Sequence, residues 1–258
     1  MDQGIALTLA GFLVGLIVGM TGVGGGSLMT PALVGLFRIP PAIAVGTDLA
    51  FAALTRSIGT STHARQQGVD WRIVRLMLAG SLPAAALAML WLHFGGSGAP
   101  MSGSVLRYAI ATSLGLTVIA LLWRDRLLAW RSGLGTDLSG RTQGALTIGA
   151  AAVIGALVAL SSIGAGAIGC VAIALIHPRL SAREVATTDL AYAVPLTAVS
   201  AAAHALAGNL DVTLLVQLLL GSVPGILLGA KLSVRLPDRL SRRLLAGALV
   251  AAAVKTVA

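Results

Sequence analysis

Apolar residues run along this chain in long stretches, and polar residues gather in the short gaps between them. Residues 4–20 and 143–176 carry no charge, and 105–123 carries only Arg107 near its start. A helix rises about 1.5 Å per residue, so roughly 20 apolar residues cross the hydrocarbon of a bilayer. In the first half of the chain the pattern predicts membrane elements at 4–20, 27–37, 42–62, 73–94 and 105–123. In the second half it predicts them at 143–160, 165–176, 184–207, 212–230 and 242–257. The elements at 27–37 and 165–176 are too short to cross alone. Each is expected to form a re-entrant hairpin or broken pair with the element before it. Residues 4–20 read as the first membrane helix and not as a removed signal, because no basic n-region or small-residue cleavage site accompanies them.

Composition agrees with this pattern. Of the 258 residues, 57% are hydrophobic and only 10% charged, against about 25% charged in soluble domains. The expected fold class is an all-α polytopic membrane protein. The formal net charge of +9 does not signal a nucleic-acid partner. The basic residues sit in short loops between apolar runs, where they set topology. Cys170 is the only cysteine, which excludes an intrachain disulfide and any cysteine-based metal cluster. No metal and no cofactor is called for.

The two halves echo one another. Gly46–Ala52 (GTDLAFA) returns as Thr187–Ala193 (TTDLAYA), 141 residues later. The same offset pairs His63 with His204, Asp70 with Asp211, Gly80 with Gly221, Ser81 with Ser222 and Pro83 with Pro224. From 47 to 92, thirteen of forty-six positions match their partners, more than the roughly one in ten that chance would give in so biased a composition. Corresponding loops carry opposite charge signals. Loop 63–75 holds Arg65, Arg72 and Arg75, while 204–216 holds no Lys or Arg. Loop 91–107 holds only Arg107, while 231–243 holds Lys231, Arg235, Arg239, Arg242 and Arg243. The positive-inside rule then places corresponding loops on opposite faces. The expectation is two inverted-topology repeats of about five elements each, at 1–130 and 142–258, joined by a cytoplasmic linker at 131–141 within a polar loop from 124 to 141. With both termini outside, fourteen of the eighteen Lys and Arg are cytoplasmic, Arg38, Arg107 and Lys255 are outside, and Arg56 lies within a span.

The candidate chemistry lies where the helical pattern breaks. Residues 19–31 read GMTGVGGGSLMTP, with five glycines in eight positions. Each costs about 1 kcal/mol against Ala inside a helix. A break at membrane depth survives only when protein or a water-filled cavity covers it. Where a helix restarts, unpaired N–H groups and the helix dipole favour an anion. Gly22, Gly24, Gly25, Gly26 and Ser27 are therefore candidate substrate-binding residues, with Ser162, Gly164 and Gly166 at the second-half break. Gly11, Gly15 and Gly19, spaced by four, read as helix-packing positions. No P-loop or dinucleotide fingerprint is present.

Asp48 and Asp189 are repeat partners inside apolar sequence, where carboxylates are costly. They are candidates for coupling to protons or a cation, for accepting hydrogen bonds from the N–H groups of a nearby break, or for capping their own helices. Thr47 and Thr188 are helpers in each case. Arg56 either faces a cavity to hold an anion or pair with Asp48, or snorkels to the cytoplasmic surface. His63 and His204 are expected at interfaces, and Trp71, Trp91, Trp123 and Trp130 in an aromatic belt. Pro83 and Pro224 are expected to kink equivalent helices.

The order of GMTGVGGGSLMTP, GTDLAFA, HARQQGVDW and GSLPAAALA, with the echoes IGAGAIG, TTDLAYA, HALAGNLDV and GSVPGILLGAKL, resembles the sulfite exporter TauE/SafE family over nearly the whole chain. The second break, IGAGAIG, is less glycine-rich than the first. The resemblance implies a multi-pass protein of the bacterial cell (inner) membrane that moves sulfite, thiosulfate, an organosulfonate or a similar small anion. The reading is a secondary transporter working by alternating access through rocking between the halves, with proton coupling through Asp48 or Asp189. Its partners are the anion and the lipid bilayer, with no nucleic acid, and a homo-oligomer is compatible with it. The alternatives are an anion channel, a non-transporting membrane scaffold, and an intramembrane enzyme with Ser27 as nucleophile and His204 as base. The transporter reading implies no enzymatic activity.

Overall fold

The computed structural model describes residues 2–21, 26–63, 68–94, 103–133, 139–233 and 247. Among the described residues every regular element is an α-helix. In chain order they are α1 (Asp2–Thr21), α2 (Gly26–Gly35), α3 (Pro41–His63), α4 (Trp71–Phe94), α5 (Gly103–Gly133), α6 (Gly140–Ser161), α7 (Ala167–Ile176), α8 (Ala182–Leu206) and α9 (Val212–Ser233). With one exception, the ends of these helices fall within three residues of the sequence expectation. The exception is α5, which continues as helix to Gly133 where a loop from 124 was expected. Its extra turns, RDRLLAWRSG, are built largely of Arg, Leu and Ala. These are good helix formers, so a polar segment beyond the apolar stretch does not end the helix. The element expected at 242–257 lies outside the described residues, apart from residue 247.

Five of the helices are long and apolar enough to cross a membrane, namely α4, α5, α6, α8 and α9, while α7 is a shorter apolar helix. Large apolar side chains point outward, among them Leu9, Leu13, Leu87, Leu90, Leu220 and Leu227. That is the arrangement expected where the solvent is lipid. Trp71, Trp91, Trp123 and Trp130 are also exposed. Pro83 and Pro224 lie inside α4 and α9.

Small residues set the packing. α1 lies along α9 and α4 along α6. Gly11 and Gly15 of α1 meet the backbone at Leu218 and Ser222, and Gly221, Gly225 and Gly229 of α9 meet that at Thr8, Phe12 and Leu16. In the other pair Gly80 of α4 sits on Ile148, and Gly155 of α6 on Ser81. A Cβ at any of these glycines would collide with backbone, so the close approach depends on its absence. The third long contact joins α3 to α8. The start of α3 lies beside the end of α8, with Gly46 against His204 and Asn209. Arg56, in the second half of α3, lies within electrostatic reach of Asp189 near the start of α8. The two helices therefore run antiparallel.

α8 starts with a complete capping box. Ser181 Oγ accepts the Glu184 N–H (3.2 Å), and Glu184 Oε2 accepts the Ser181 N–H (2.8 Å). These bonds satisfy two donors that a helix N-terminus otherwise leaves open.

Candidate functional site

The chain breaks between α6 and α7 at a buried turn. α6 ends at Ser162, whose φ of 61° is left-handed and whose N–H bonds Val158 O. Gly164 (φ 127°) and Gly166 (φ 106°) take conformations that L side chains resist, and α7 restarts at Ala167. Ser161 Oγ lies 2.9 Å from Ser113 Oγ of α5 and accepts the Ile163 N–H at 3.2 Å, which pins the turn. Residues 161–167 are all buried, so this break faces protein and not lipid, as its polar backbone requires. In the first half, Gly26 and Ser27 open α2. Gly22, Gly24 and Gly25 lie outside the described residues, as does the Ser27 side chain.

α3 brings two charged side chains to the break. Asp48 is fully buried, and its Oδ2 accepts both the N–H of Thr30 (3.1 Å) and the Thr30 hydroxyl. Thr30 sits in the first turns of α2, so the carboxylate takes up a donor just past the glycine run. The Ser162 hydroxyl lies next to Asp48. Neither Ser162 Oγ nor Asp48 Oδ1 has a hydrogen-bond partner among the described residues. Arg56, two turns further along α3, is 3% exposed and donates from one terminal nitrogen to Ala165 O at 2.8 Å. It does not snorkel. It lies within electrostatic reach of Asp189 and of Asp48.

Asp189 of α8 completes the cluster. It is 1% exposed, and its Oδ1 rests so close to Gly169 that a Cβ there would overlap it. The Cys170 thiol and the Gly166 N–H adjoin it. Tyr192, one turn along α8, is fully buried beside Ser81, Asp189 and Arg56. The structure thus gathers Asp48, Arg56, Ser162, Gly166 and Asp189 from three separate stretches of chain.

Thr30 and Tyr192 carry no site signal of their own in the sequence, Cys170 reads there only as a lone cysteine, and Gly169 is one of the glycines of the second break. A signal for Thr30 and Cys170 existed in the repeat. Aligning Gly26 with Gly166 places Thr30 opposite Cys170, and each of these contacts the buried aspartate of its own half.

His204 corrects an expectation. It is fully buried, with Nε2 2.9 Å from Ala159 O, and not at an interface. The helix end looked like a surface, but the chain from 207 to 211 folds back over it. Asn209 N–H bonds His204 O at 2.9 Å, and Gly46 leaves room for the side chain. A cavity of about 40 Å³ lies away from the cluster, lined by Asp70, Arg72, Gln143 and His177 among others.

Three comparisons bear on identity. The sequence matches the family described as Sulfite exporter TauE/SafE across residues 7–256. It is 33% identical to a probable membrane transporter protein, YjnA, of Bacillus subtilis, over 83% of this chain and 84% of that one. It is 28% identical to a second from the same organism, YdhB, over 82% and 83% of the two chains. A probable membrane transporter protein of Xylella fastidiosa is 31% identical over 44% of this chain and 42% of its own. No solved structure gives a significant match.

Proposed function

The chain belongs to the sulfite exporter TauE/SafE family of membrane transporters, and from that premise we propose that it is a secondary transporter for a small sulfur-containing anion, coupled to protons. Sulfite, thiosulfate and organosulfonates are the candidate substrates. The supporting observation is the buried Arg56, whose guanidinium meets the break carbonyl of Ala165 within reach of two aspartates. One guanidinium cannot balance two carboxylates and an incoming anion, since buried charge is tolerated only when paired. One proton shared by Asp48 and Asp189 balances Arg56 before the anion enters, and entry of a singly charged anion calls for a second, so that both carboxyls are protonated when it is bound. The N–H groups of the two breaks and Ser162, whose hydroxyl lacks a partner among the described residues, supply neutral donors to the oxyanion.

Alternating access by inverted repeats is part of the same proposal. Its support is the reciprocity of the packing. The α1–α9 contact has its counterpart in α6–α4, Gly15 on Ser222 in Gly155 on Ser81, and Asp211 on Thr47 in Asp70 on Thr188. Because α1 is seated on α9 and α4 on α6, we assign the proposed motion to those two pairs in place of the sequence halves. Membership of a transporter family also argues against the serine-enzyme reading, and His204 is already engaged with Ala159 O.

The test is flux of ³⁵S-labelled sulfite, thiosulfate and a sulfonate in liposomes, with and without a proton gradient. Saturable flux that responds to the gradient and is lost in Arg56→Gln is the expected result. A folded protein that moves none of these anions overturns the proposal, and unsaturable conductance turns it into a channel.

A further inference from the structure

Thr47 and Thr188 stand immediately before the two buried aspartates, and both are fully buried themselves. Their hydroxyls do not serve the carboxylates beside them. Thr188 Oγ1 accepts the backbone N–H of Asp70 at 3.1 Å, and Thr47 Oγ1 accepts that of Asp211 at 3.1 Å. Asp70 and Asp211 each precede a long helix and supply its first side-chain cap. Asp70 Oδ1 accepts the N–H groups of Arg72 (3.0 Å) and Ile73 (3.1 Å), and Asp211 Oδ1 accepts that of Leu214 (3.0 Å). A hydroxyl on one helix thus ties down the capped start of another, and the arrangement occurs twice.

Their places in the fold give these ties a direction. α3 and α8 run antiparallel, so the two ties lie at opposite ends of that pair. The Thr188 tie holds the start of α4, against which α6 is packed. The Thr47 tie holds the start of α9, against which α1 is packed. Each is a single neutral hydrogen bond, one of the weaker links in a buried core and one that can open and re-form within a transport cycle. Each also lies one residue from a carboxylate of the central cluster, so a shift of that carboxylate moves its tie.

We propose that Thr47 and Thr188 are paired latch residues, positioning residues that hold the α1–α9 pair and the α4–α6 pair closed on opposite faces and release one at a time. This rests on the alternating-access reading above and deepens it. Protonation of Asp48 or Asp189 as an anion enters beside it loosens the adjacent tie and opens one face while the other stays shut.

The experiment reads access to the centre from each face and needs no substrate. Cys170 is the only cysteine, so Cys170→Ala gives a thiol-free background, and Ser162→Cys places a reporter at the break. A membrane-impermeant methanethiosulfonate reagent is applied to each face of oriented vesicles. Thr188→Val is expected to raise reporter labelling at least threefold from the face where α4 starts and to leave the other face unchanged. Thr47→Val is expected to do the converse, and Thr188→Ser and Thr47→Ser, which keep the hydroxyl, to return labelling to the parent level. Equal rises at both faces, no rise, or no recovery in the serine variants overturns the latch. Absence of anion flux in the parent protein would instead count against the transporter reading, so the two failures are distinguishable.

Discussion

At Arg56 a guanidinium is held within a low-dielectric core by its relation to two aspartates and one carbonyl. Replacing one partner of a buried charge set leaves the rest uncompensated, at a cost of about 3–5 kcal/mol. Arg56→Gln is therefore expected to lower the unfolding temperature in detergent sharply. Arg56→Gln combined with Asp189→Asn should recover most of that loss without recovering flux. If the double variant is as unstable as the single one, Asp189 is not the partner that matters. Gly169→Ala drives a Cβ into Asp189 Oδ1, an overpacking that costs about 1–3 kcal/mol, and thermal unfolding against the parent protein measures it. Asp48 and Asp189 were legible because a carboxylate inside an apolar run has few benign explanations. Thr30 and Tyr192 were not, since threonine and tyrosine are ordinary in such helices and only their placement against Asp48 and Asp189 distinguishes them.

A helix is legible in sequence to the extent that its start and stop are chemical events. Ser181 and Glu184 mark the start of α8, and Ser162, Gly164 and Gly166 mark the gap before α7. The end of α5 carries no such mark at position 124, and the helix continues past it to Gly133. Partner choice is harder still. α1 is apolar around its whole circumference, and because lipid is as apolar as a protein core, no amphipathic stripe identifies the face that packs. The spacing of Gly11 and Gly15 indicated a close contact without saying that α9 would fill it. Two expectations belong to this scale. Ser181→Ala removes the capping hydroxyl of α8 and should cost about 1 kcal/mol, read as a lower unfolding temperature. The second concerns the end of α7, where His177 Nε2 lies 3.0 Å from Thr147 Oγ1 of α6. Partial burial holds the His177 imidazole below its ordinary value, with Asp70 opposing and Arg72 adding to the effect. The folded state thus favours the neutral ring, and the unfolded chain binds the extra proton first as pH falls. Stability from this group is complete above the ordinary histidine range and declines on acidification. Between about pH 7.5 and 5.5, His177→Gln should lose less unfolding temperature than the parent protein. An equal loss in both would assign the acid sensitivity elsewhere.

For the whole molecule, the decisive fact is that, among the described residues, the principal interfaces join early helices to late ones. α1 buries Leu7, Val14 and Val18 and lies on α9, about 200 positions later in the sequence. α4 lies on α6, and α3 runs along α8. Among the described residues, the glycines of 1–130 and of 142–258 that meet a partner backbone meet it mostly across the two segments. Gly80 and Gly155 need each other's helices, as do Gly15 and Gly221. Close packing of this kind is what holds helices together where the surrounding solvent is itself apolar, so a half expressed alone has inserted helices but few partners. Cutting the chain after Gly133 leaves all nine described helices intact. The fragment 1–133 produced alone is expected to be aggregated or degraded, and the fragment 134–258 likewise. Produced together, they should co-purify as one monodisperse particle and regain anion flux. Size-exclusion chromatography of the three preparations decides the matter. A monodisperse, stable 1–133 fragment would mean that the halves fold as independent bodies, and rocking of one half against the other would then replace movement of the α1–α9 and α4–α6 pairs.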